Sequence, residues 1–250
     1  MIDVHTHILP AIDDGAKTQL DARLLLETEV AQGVEEVVFT PHYYGKKRPI
    51  QSFLKLRDEA WQKIQEDIPN GLQTRLGAEV HFTGVNDPTH DALCKLAIEG
   101  TSCVLIELPF VKKWRKSLFT KLYEFITDTG YTPIIAHAER YIEFLKTPAL
   151  ITKLIDMGCL IQLNTSAFLE KKTRRFALAM LKNGLVHCLG TDAHDISVRV
   201  PDYKTARDAV VLAGYEKEWG QAQACMRAIL DKKPIRQAYR PIRKFFNFYY

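Results

Sequence analysis

The sequence predicts an α/β fold, a distorted TIM-like barrel of seven parallel strands with helices outside, in a single domain. Three observations predict it. Short apolar runs rich in β-branched residues alternate with longer segments of helical period, the order expected of a parallel sheet. Seven such runs are more than a small doubly wound unit needs, and 250 residues suit one barrel. Glycines fall at or just past the ends of the helical segments, at Gly33, Gly100, Gly130, Gly158 and Gly184, where a left-handed cap ends a helix.

The elements follow in order. The first strand is read over Ile2–His5, ahead of a helix over Lys17–Gln32 whose Leu20, Leu24, Leu25 and Val30 recur at helical spacing. A second strand, Glu36–Thr40, precedes a helix over Ile50–Glu66 that starts after Pro49 and offers Phe53, Leu54, Leu56, Trp61 and Ile64 to a core. Strands over Thr74–Glu79, Cys103–Leu108, Thr132–His137, Leu160–Asn164 and Val186–Thr191 complete the seven. The intervening helices are Asp87–Glu99, Lys116–Thr129, Pro148–Met157 and Thr173–Lys182. The barrel is assigned to residues 1–238, and 239–250, rich in aromatic and basic residues, to a C-terminal tail.

Composition narrows the function classes. A net charge of +4 suits an anionic substrate without demanding nucleic acid. No apolar stretch reaches membrane-spanning length, and no basic segment followed by an apolar run opens the sequence, so neither a membrane span nor a signal peptide is expected. Five cysteines, Cys94, Cys103, Cys159, Cys188 and Cys225, lack Cys-x-x-Cys spacing and read as free thiols; the expected compartment is the cytoplasm. The Gly-x-Ser-x-Gly elbow, the phosphate-binding Gly-rich Lys loop and the dinucleotide fingerprint are absent, and no cysteine has an arginine six positions on.

In barrels of this kind chemistry sits at the C-terminal ends of the strands, and ligand-type residues collect there. His5 and His7 are two apart, so on an extended strand both imidazoles face one side. His42 follows the second strand; Glu79, Glu107 and His137 end the third, fourth and fifth; Asp192 and His194 follow the seventh; Asp14 lies in the loop after the first. The sixth strand ends in Asn164, with no strong ligand. Five histidines and four carboxylates exceed what one ion can use, whereas two or three divalent ions sharing carboxylates would use the set. Such a site lowers the pKa of bound water and clamps phosphoryl oxygens, so hydrolysis of an anionic ester is the expected chemistry. Arg140 and Arg199 carry the planar fork that suits phosphate, and the basic, aromatic run Tyr43–Pro49 directly follows His42. His81 is read as a residue behind the ligands or on the surface rather than lining the mouth, His90 as exposed, and His187 as structural, at the strand end away from the site.

These residues carry a resemblance. His5-Thr6-His7-Ile8-Leu9-Pro10 with Asp13-Asp14-Gly15-Ala16-Lys17-Thr18 resembles the N-terminal signature of the polymerase-and-histidinol-phosphatase (PHP) superfamily. More narrowly, the chain resembles the bacterial manganese-dependent protein tyrosine phosphatases of capsule and exopolysaccharide synthesis. Gly77-Ala78-Glu79, Ile106-Glu107, Ala136-His137-Ala138-Glu139-Arg140-Tyr141, Asp156-Met157-Gly158-Cys159 and Asp192-Ala193-His194 match in order and approximate spacing. The resemblance implies a PHP-type barrel holding three divalent ions, manganese first, with iron or zinc as alternatives. One ion would take His5, His7, Glu79 and Asp192; a second Glu79, Glu107 and His137; a third Asp14, His42 and His194. Arg140 and Arg199 would hold the phosphate while a metal-bridging hydroxide attacks phosphorus in line. The implied partner is a phosphotyrosine protein, the tyrosine-rich tail of a bacterial tyrosine kinase controlling polysaccharide assembly. A small-molecule phosphatase acting on histidinol phosphate, or a phosphodiesterase, is the alternative on the same fold. Two positions depart from the family pattern: Asp195 replaces the usual asparagine after Asp-x-His, and Arg199-Val200-Pro201 replaces arginine followed by two prolines.

Overall fold

Strand β1 (Ile2–Thr6) is buried along its whole length, as a strand covered on both faces must be. The computed structural model describes residues 1–82, 90–235, 237–245, 248 and 249. The chain continues through α1 (Gln19–Ala31), β2 (Glu36–Phe39), β3 (His42–Tyr43), α2 (Ile50–Ile64), β4 (Gln73–Leu76), β5 (Glu79–His81), α3 (His90–Leu96) and β6 (Cys103–Glu107). It goes on through α4 (Lys116–Thr129), β7 (Thr132–Ile135), α5 (Ile142–Lys146), α6 (Ala149–Asp156), β8 (Leu160–Asn164), α7 (Arg174–Lys182), β9 (Cys188–Gly190), α8 (Tyr203–Leu212) and α9 (Glu216–Leu230). A short antiparallel pair, β10 (Lys244–Phe245) and β11 (Phe248–Tyr249), follows.

All seven expected strands are present and parallel, in the order β1-β2-β4 and then β3-β5-β6-β7-β8-β9. The third is split in two, and the second is followed by a short strand beyond its predicted end. Pro41, which has no N–H to give a ladder, separates β2 from β3, and Gly77-Ala78 separates β4 from β5. The curl of the sheet is carried at these breaks: β2 pairs with β1 and β4, while β3 pairs with β5 alone. The barrel is drawn together where β9 meets β1. Asp192 N–H donates to the His5 carbonyl at 2.8 Å, His7 N–H donates to the Ala193 carbonyl at 2.9 Å, and Thr6 and Ala193 form a parallel bridge.

Glycine is required at that seam. A Cβ on Gly190 would lie 2.5 Å from His5 Cβ, and one on Gly15 would lie 2.0 Å from the His7 carbonyl oxygen. Both glycines let backbone pass close against the strand that carries the first two histidines.

The helices differ from expectation in three ways. The buried face of α1 is Ala22, Leu25, Leu26 and Glu29, so Leu20 and Val30 face solvent. Glu29 accounts for the rotation: its Oε1 accepts the Thr191 hydroxyl at 3.2 Å, which places a carboxylate in the core. On α2, Arg57 takes part of the predicted apolar stripe and donates to the Gly77 and Lys95 carbonyls at 3.0 and 2.8 Å. Helices α5, α8 and α9 carry no sequence-based assignment; α9 packs on β9 and β1 with Trp219, Ala222 and Met226 buried, and α8 packs on α9 with Tyr203 buried. Of the expected helix over Asp87–Glu99, residues 87–89 lie outside the described residues. Among the described residues no helix is long and apolar enough to cross a membrane, and Cys103, Cys159, Cys188 and Cys225 are buried free thiols while Cys94 is exposed.

Candidate metal centre

The mouth of the barrel brings all nine predicted ligand-type residues together. Three overlapping groups have donor atoms mutually within 4.8 Å: His7, Asp14, His42 and His194; His5, His7 and Asp192; His42, Glu79 and Glu107. His137 joins the last through Nε2, 2.8 Å from Glu79 Oε1 and 3.6 Å from Glu107 Oε1. Glu79 is central, fully buried and within 3.4 Å of His5 Nε2 and 3.3 Å of His7 Nε2. Asp192 mirrors it, 3.4 and 3.3 Å from the same two nitrogens.

Backbone geometry aims two of these side chains. His137 and Asp192 adopt left-handed φ values of 33° and 55°, a conformation that costs a non-glycine residue about 1–3 kcal/mol and collects at functional sites. Each lies just past a strand end, where the turn swings the side chain over the mouth.

The imidazole tautomers are set from behind. His5 Nδ1 faces Gln162 Oε1 at 3.3 Å, His7 Nδ1 faces Asp13 Oδ2 at 2.8 Å, and His194 Nδ1 faces the Asp192 carbonyl at 2.8 Å. All three partners only accept, so each Nδ1 donates and each Nε2 keeps its lone pair toward the cluster. His5 Nε2 and His7 Nε2 then stand 3.1 Å apart. Two lone pairs at that distance repel, but two nitrogens on one ion at about 2.1 Å each stand about 3–3.5 Å apart. His42 Nδ1 and Glu79 Oε2 are 2.8 Å apart yet both lack hydrogen-bond partners, as does His194 Nε2. Buried donor atoms that face each other without hydrogen-bonding fit a shared cation. The donor set therefore fits divalent ions.

The electrostatics agree. At His5, His7, Glu79 and Asp192 burial opposes charge and the opposite charges overcome it, whereas at His194 burial prevails and lowers the imidazole. Burial alone would lower His5 and His7, yet the Glu79 and Asp192 carboxylates raise His5, and the Asp13 carboxylate holds His7 well above the usual imidazole range. Burial would raise Glu79 and Asp192, yet His5 and the other imidazoles around them hold both well below the usual carboxylate range. The site thus favours positive charge among its carboxylates, which divalent ions bound through the Nε2 lone pairs would supply.

Several contributors were not legible as site residues. Asp13 holds His7, accepts the His42 N–H at 2.8 Å and the Gly15 N–H at 2.9 Å, and so fixes the first loop against β3. Gln162 Oε1 also accepts the His137 N–H at 2.5 Å, its amide donates to Asn164 at 3.0 Å, and Asn164 donates to Asp192 Oδ2 at 3.0 Å. The sixth predicted strand, which lacks a ligand, thus supplies the amides that orient ligands from β1, β7 and β9; the alternation Gln162-Leu163-Asn164 in a buried strand was the available signal. His81 Nδ1–H donates to Glu107 Oε2 at 2.8 Å and so braces a cluster carboxylate from behind. His187 is buried away from the mouth, as expected, with Nδ1 accepting the Ile161 N–H at 3.2 Å. The side chain of His90 lies outside the described residues.

Arg140 and Arg199 reach the same atom: Arg140 NH1 lies 3.3 Å from Asp192 Oδ2, and Arg199 NH2 also pairs with it. They line one cleft of about 330 Å³ with Glu139, Asn164, Ser166 and Thr191. Burial pushes the Glu139 carboxyl there up to about 8. Asp195 points away from the ligands. It accepts the Ser197 and Val198 N–H groups at 2.7 and 2.6 Å and closes the turn that delivers Arg199, which holds its carboxyl down to about 2. The run after His42 lines a shallower pocket with Asp14, where Lys47 lies 4.5 Å over the Tyr44 ring.

A parallel α/β barrel with imidazoles and carboxylates converging at its C-terminal mouth defines a class, the metal-dependent barrel hydrolases. Within it, a family model described as capsular polysaccharide synthesis, CpsB/CapC, matches residues 1–231, and the chain belongs to that family. It is 31% identical to the tyrosine-protein phosphatase YwqE of Bacillus subtilis (strain 168), over 100% of both chains. It is 29% identical to the tyrosine-protein phosphatase CpsB of Streptococcus pneumoniae, over 90% of this chain and 93% of that one. To the putative tyrosine-protein phosphatase CapC of Staphylococcus aureus it is 32% identical, over 80% of this chain and 79% of that one. Among solved structures, one from a study of YwqE from Bacillus subtilis and CpsB from Streptococcus pneumoniae, described as unique metal-dependent tyrosine phosphatases, superposes with a TM-score of 0.82 at 24% identity, over 98% of this chain and 100% of that one. A β-aspartyl dipeptidase from Fervidobacterium islandicum AW-1 shares the barrel alone, with a TM-score of 0.56 at 16% identity, over 97% of this chain and 78% of that one.

Proposed function

We propose that this chain is a metal-dependent protein tyrosine phosphatase of the cytoplasm, acting on the tyrosine-rich tail of a bacterial tyrosine kinase that controls capsular or exopolysaccharide synthesis. The observation that carries the reading is the meeting of a buried imidazole–carboxylate cluster and two arginines at one carboxylate, Asp192. Relatives over the full chain are named tyrosine-protein phosphatases, which supports the substrate.

Three ions would be held, by His5, His7, Glu79 and Asp192; by Glu79, Glu107 and His137; and by Asp14, His42 and His194, with Glu79 shared. Manganese is the first expectation, iron and zinc the alternatives, since imidazole and carboxylate donors accept all three. When bound, such ions supply Lewis-acid charge and a water-derived nucleophile near neutral pH. The protein's own residues do the rest. Gln162 and Asp13 hold His5 and His7 in the tautomer that presents Nε2. Arg140 and Arg199 offer N–H donors toward a phosphoryl group, at a point where charge accumulates during in-line displacement. The side chains of Arg140 and Arg199 remain 44% and 36% exposed, so a substrate group can reach them.

The test is turnover of a tyrosine phosphopeptide by the manganese-loaded protein, beside histidinol phosphate. Hydrolysis of the peptide, abolished in His5→Ala and His137→Ala and lost with chelator, is expected. Arg140→Ala should keep its metal and lower kcat/KM about a hundredfold, the scale of removing one charge-stabilising donor. Full metal content with no peptide turnover would overturn the reading, and a preference for histidinol phosphate would move it to the small-molecule alternative.

A further inference from the structure

Phe110 is half-exposed, at 49%, on the loop that follows β6, directly beside the cluster. The ring is held in place. It stacks on His137 at 5.5 Å and 24°, and on Tyr141 at 5.0 Å and 26°. The Arg140 guanidinium lies 5.1 Å from its centroid. The loop beneath is anchored: Trp114 Nε1–H donates to the Pro109 carbonyl at 2.9 Å, Leu108 N–H donates to the Tyr141 hydroxyl oxygen at 2.8 Å, and Trp114 packs edge-on against Tyr141 and Phe144.

We infer that Phe110 is a specificity-determining residue, a fixed aromatic shelf that receives the aryl ring of an aryl phosphate whose phosphoryl group is held by Arg140. The inference rests on the phosphatase reading above and adds what that reading leaves open: how the mouth tells an aryl phosphate from an alkyl one. The metal cluster and the arginines see only the phosphoryl group, which is the same on tyrosine and serine. A ring one aromatic residue away from the arginine that contacts phosphate reads the leaving group. Offset or edge-on contact between rings adds affinity beyond buried area, and an alkyl phosphate has no ring to place there. Lys112 and Lys113, exposed on the same loop, add the positive charge that draws an anionic substrate to this side.

The experiment compares Phe110→Ala, Phe110→Leu and Phe110→Trp with the parent, all loaded with manganese and checked for equal metal content. Two matched peptides, one with phosphotyrosine and one with phosphoserine, give kcat/KM; phenylphosphonate and methylphosphonate, which are not hydrolysed, give binding. The expected result is an approximately tenfold fall in kcat/KM for the phosphotyrosine peptide in the Ala and Leu variants, no change for the phosphoserine peptide, and near-parental behaviour for Trp. Phenylphosphonate binding should weaken by a similar factor while methylphosphonate binding stays constant. Parallel loss on both peptides, or retention of aryl preference in Phe110→Leu, would overturn the shelf and leave Phe110 as packing for His137. Should the parent bind phenylphosphonate through Phe110 and hydrolyse neither peptide, the shelf stands and the phosphatase reading falls; should it bind the two phosphonates equally, the shelf falls whatever the turnover.

Discussion

Asp195 is one of the two positions at which this chain leaves the pattern of the phosphatases it resembles, and its bonds explain why the departure is tolerated. Its carboxylate takes backbone N–H groups of the turn from Ser197 to Arg199, and an asparagine carbonyl oxygen in the same place can take them too. Asp195→Asn should therefore retain kcat/KM within about twofold. Asp195→Ala frees the turn, misplaces Arg199 and should lower kcat/KM for phosphopeptide about tenfold with metal content intact; equal activity in both variants would show that the turn does not position Arg199. His187 supports a prediction of another kind. Burial lowers its pKa to about 4 against an ordinary 6.5, and Nδ1 is already an acceptor. Above about pH 6.5 both folded and unfolded chains carry it neutral, so it adds no slope. Between about 6.5 and 4 the unfolded chain takes the proton and the folded one does not, so stability falls as pH falls, by about 3 kcal/mol at most. His187→Asn keeps an acceptor for Ile161 N–H and cannot titrate there. Denaturant unfolding at pH 7 and pH 5 should show a shallower acid loss in the variant, and identical slopes would contradict the assignment.

At the scale of elements, the strands were legible and the helices only partly so. A parallel strand buried on both faces is apolar almost throughout, so β6 stands out as a continuous run, whereas β1 and β8 interleave buried polar residues, Asp3 and His5 or Gln162 and Asn164, with apolar ones. The break at Gly77 lies inside the predicted run Thr74–Glu79, because a break in hydrogen bonding need not interrupt a strand-like sequence, and the two-residue β3 after Pro41 is too short to give a pattern. The α1 face was misread because a buried carboxylate looks like a solvent-facing one: Glu29 reads as polar surface until Thr191 is seen to reach it. Helices α8 and α9 bury many small or sulfur-bearing residues, Ala206, Ala222, Cys225 and Met226, whose periodicity is faint. The clustering of His and carboxylate residues was legible because they fall at strand ends; the amides on β8 and Asp13 were not, since Gln, Asn and Asp at such points commonly serve as caps. Two substitutions separate scaffold from site. Thr18 closes a capping box with Asp21 at the start of α1, so Thr18→Ala should cost about 1 kcal/mol in denaturant unfolding and leave metal content unchanged. Gly190→Ala drives a Cβ into His5 and should lower metal content as well as stability. Full metal occupancy in Gly190→Ala would show that the seam between β1 and β9 can yield without moving its ligands.

For the whole molecule, that seam is where folding and metal binding become one equilibrium. β1 and the residue just after it carry His5 and His7, the stretch after β9 carries Asp192 and His194, and the two are joined by backbone bonds flanked on both sides by those residues. Any ion held by His5, His7 and Asp192 therefore ties the first strand of the barrel to its last, β9, across most of the chain. The unfolded chain has no such site, so binding adds to stability by mass action, about 2.7 kcal/mol for a single site at one hundred times its Kd. For a chain of this size each kcal/mol shifts Tm by about 2–4 °C. Manganese in excess should thus raise Tm by about 5–10 °C or more, and chelation should reverse it. Substituting different ligands should grade the effect. Glu79→Gln alters the carboxylate shared by two of the proposed ion sets and should lose most of the shift. Asp14→Asn touches only the set at the open edge of the mouth, where Asp14 is 63% exposed, and should lose the smaller part. Equal losses in the two variants, or full metal binding without any rise in Tm, would contradict a barrel whose closure is completed by its ions.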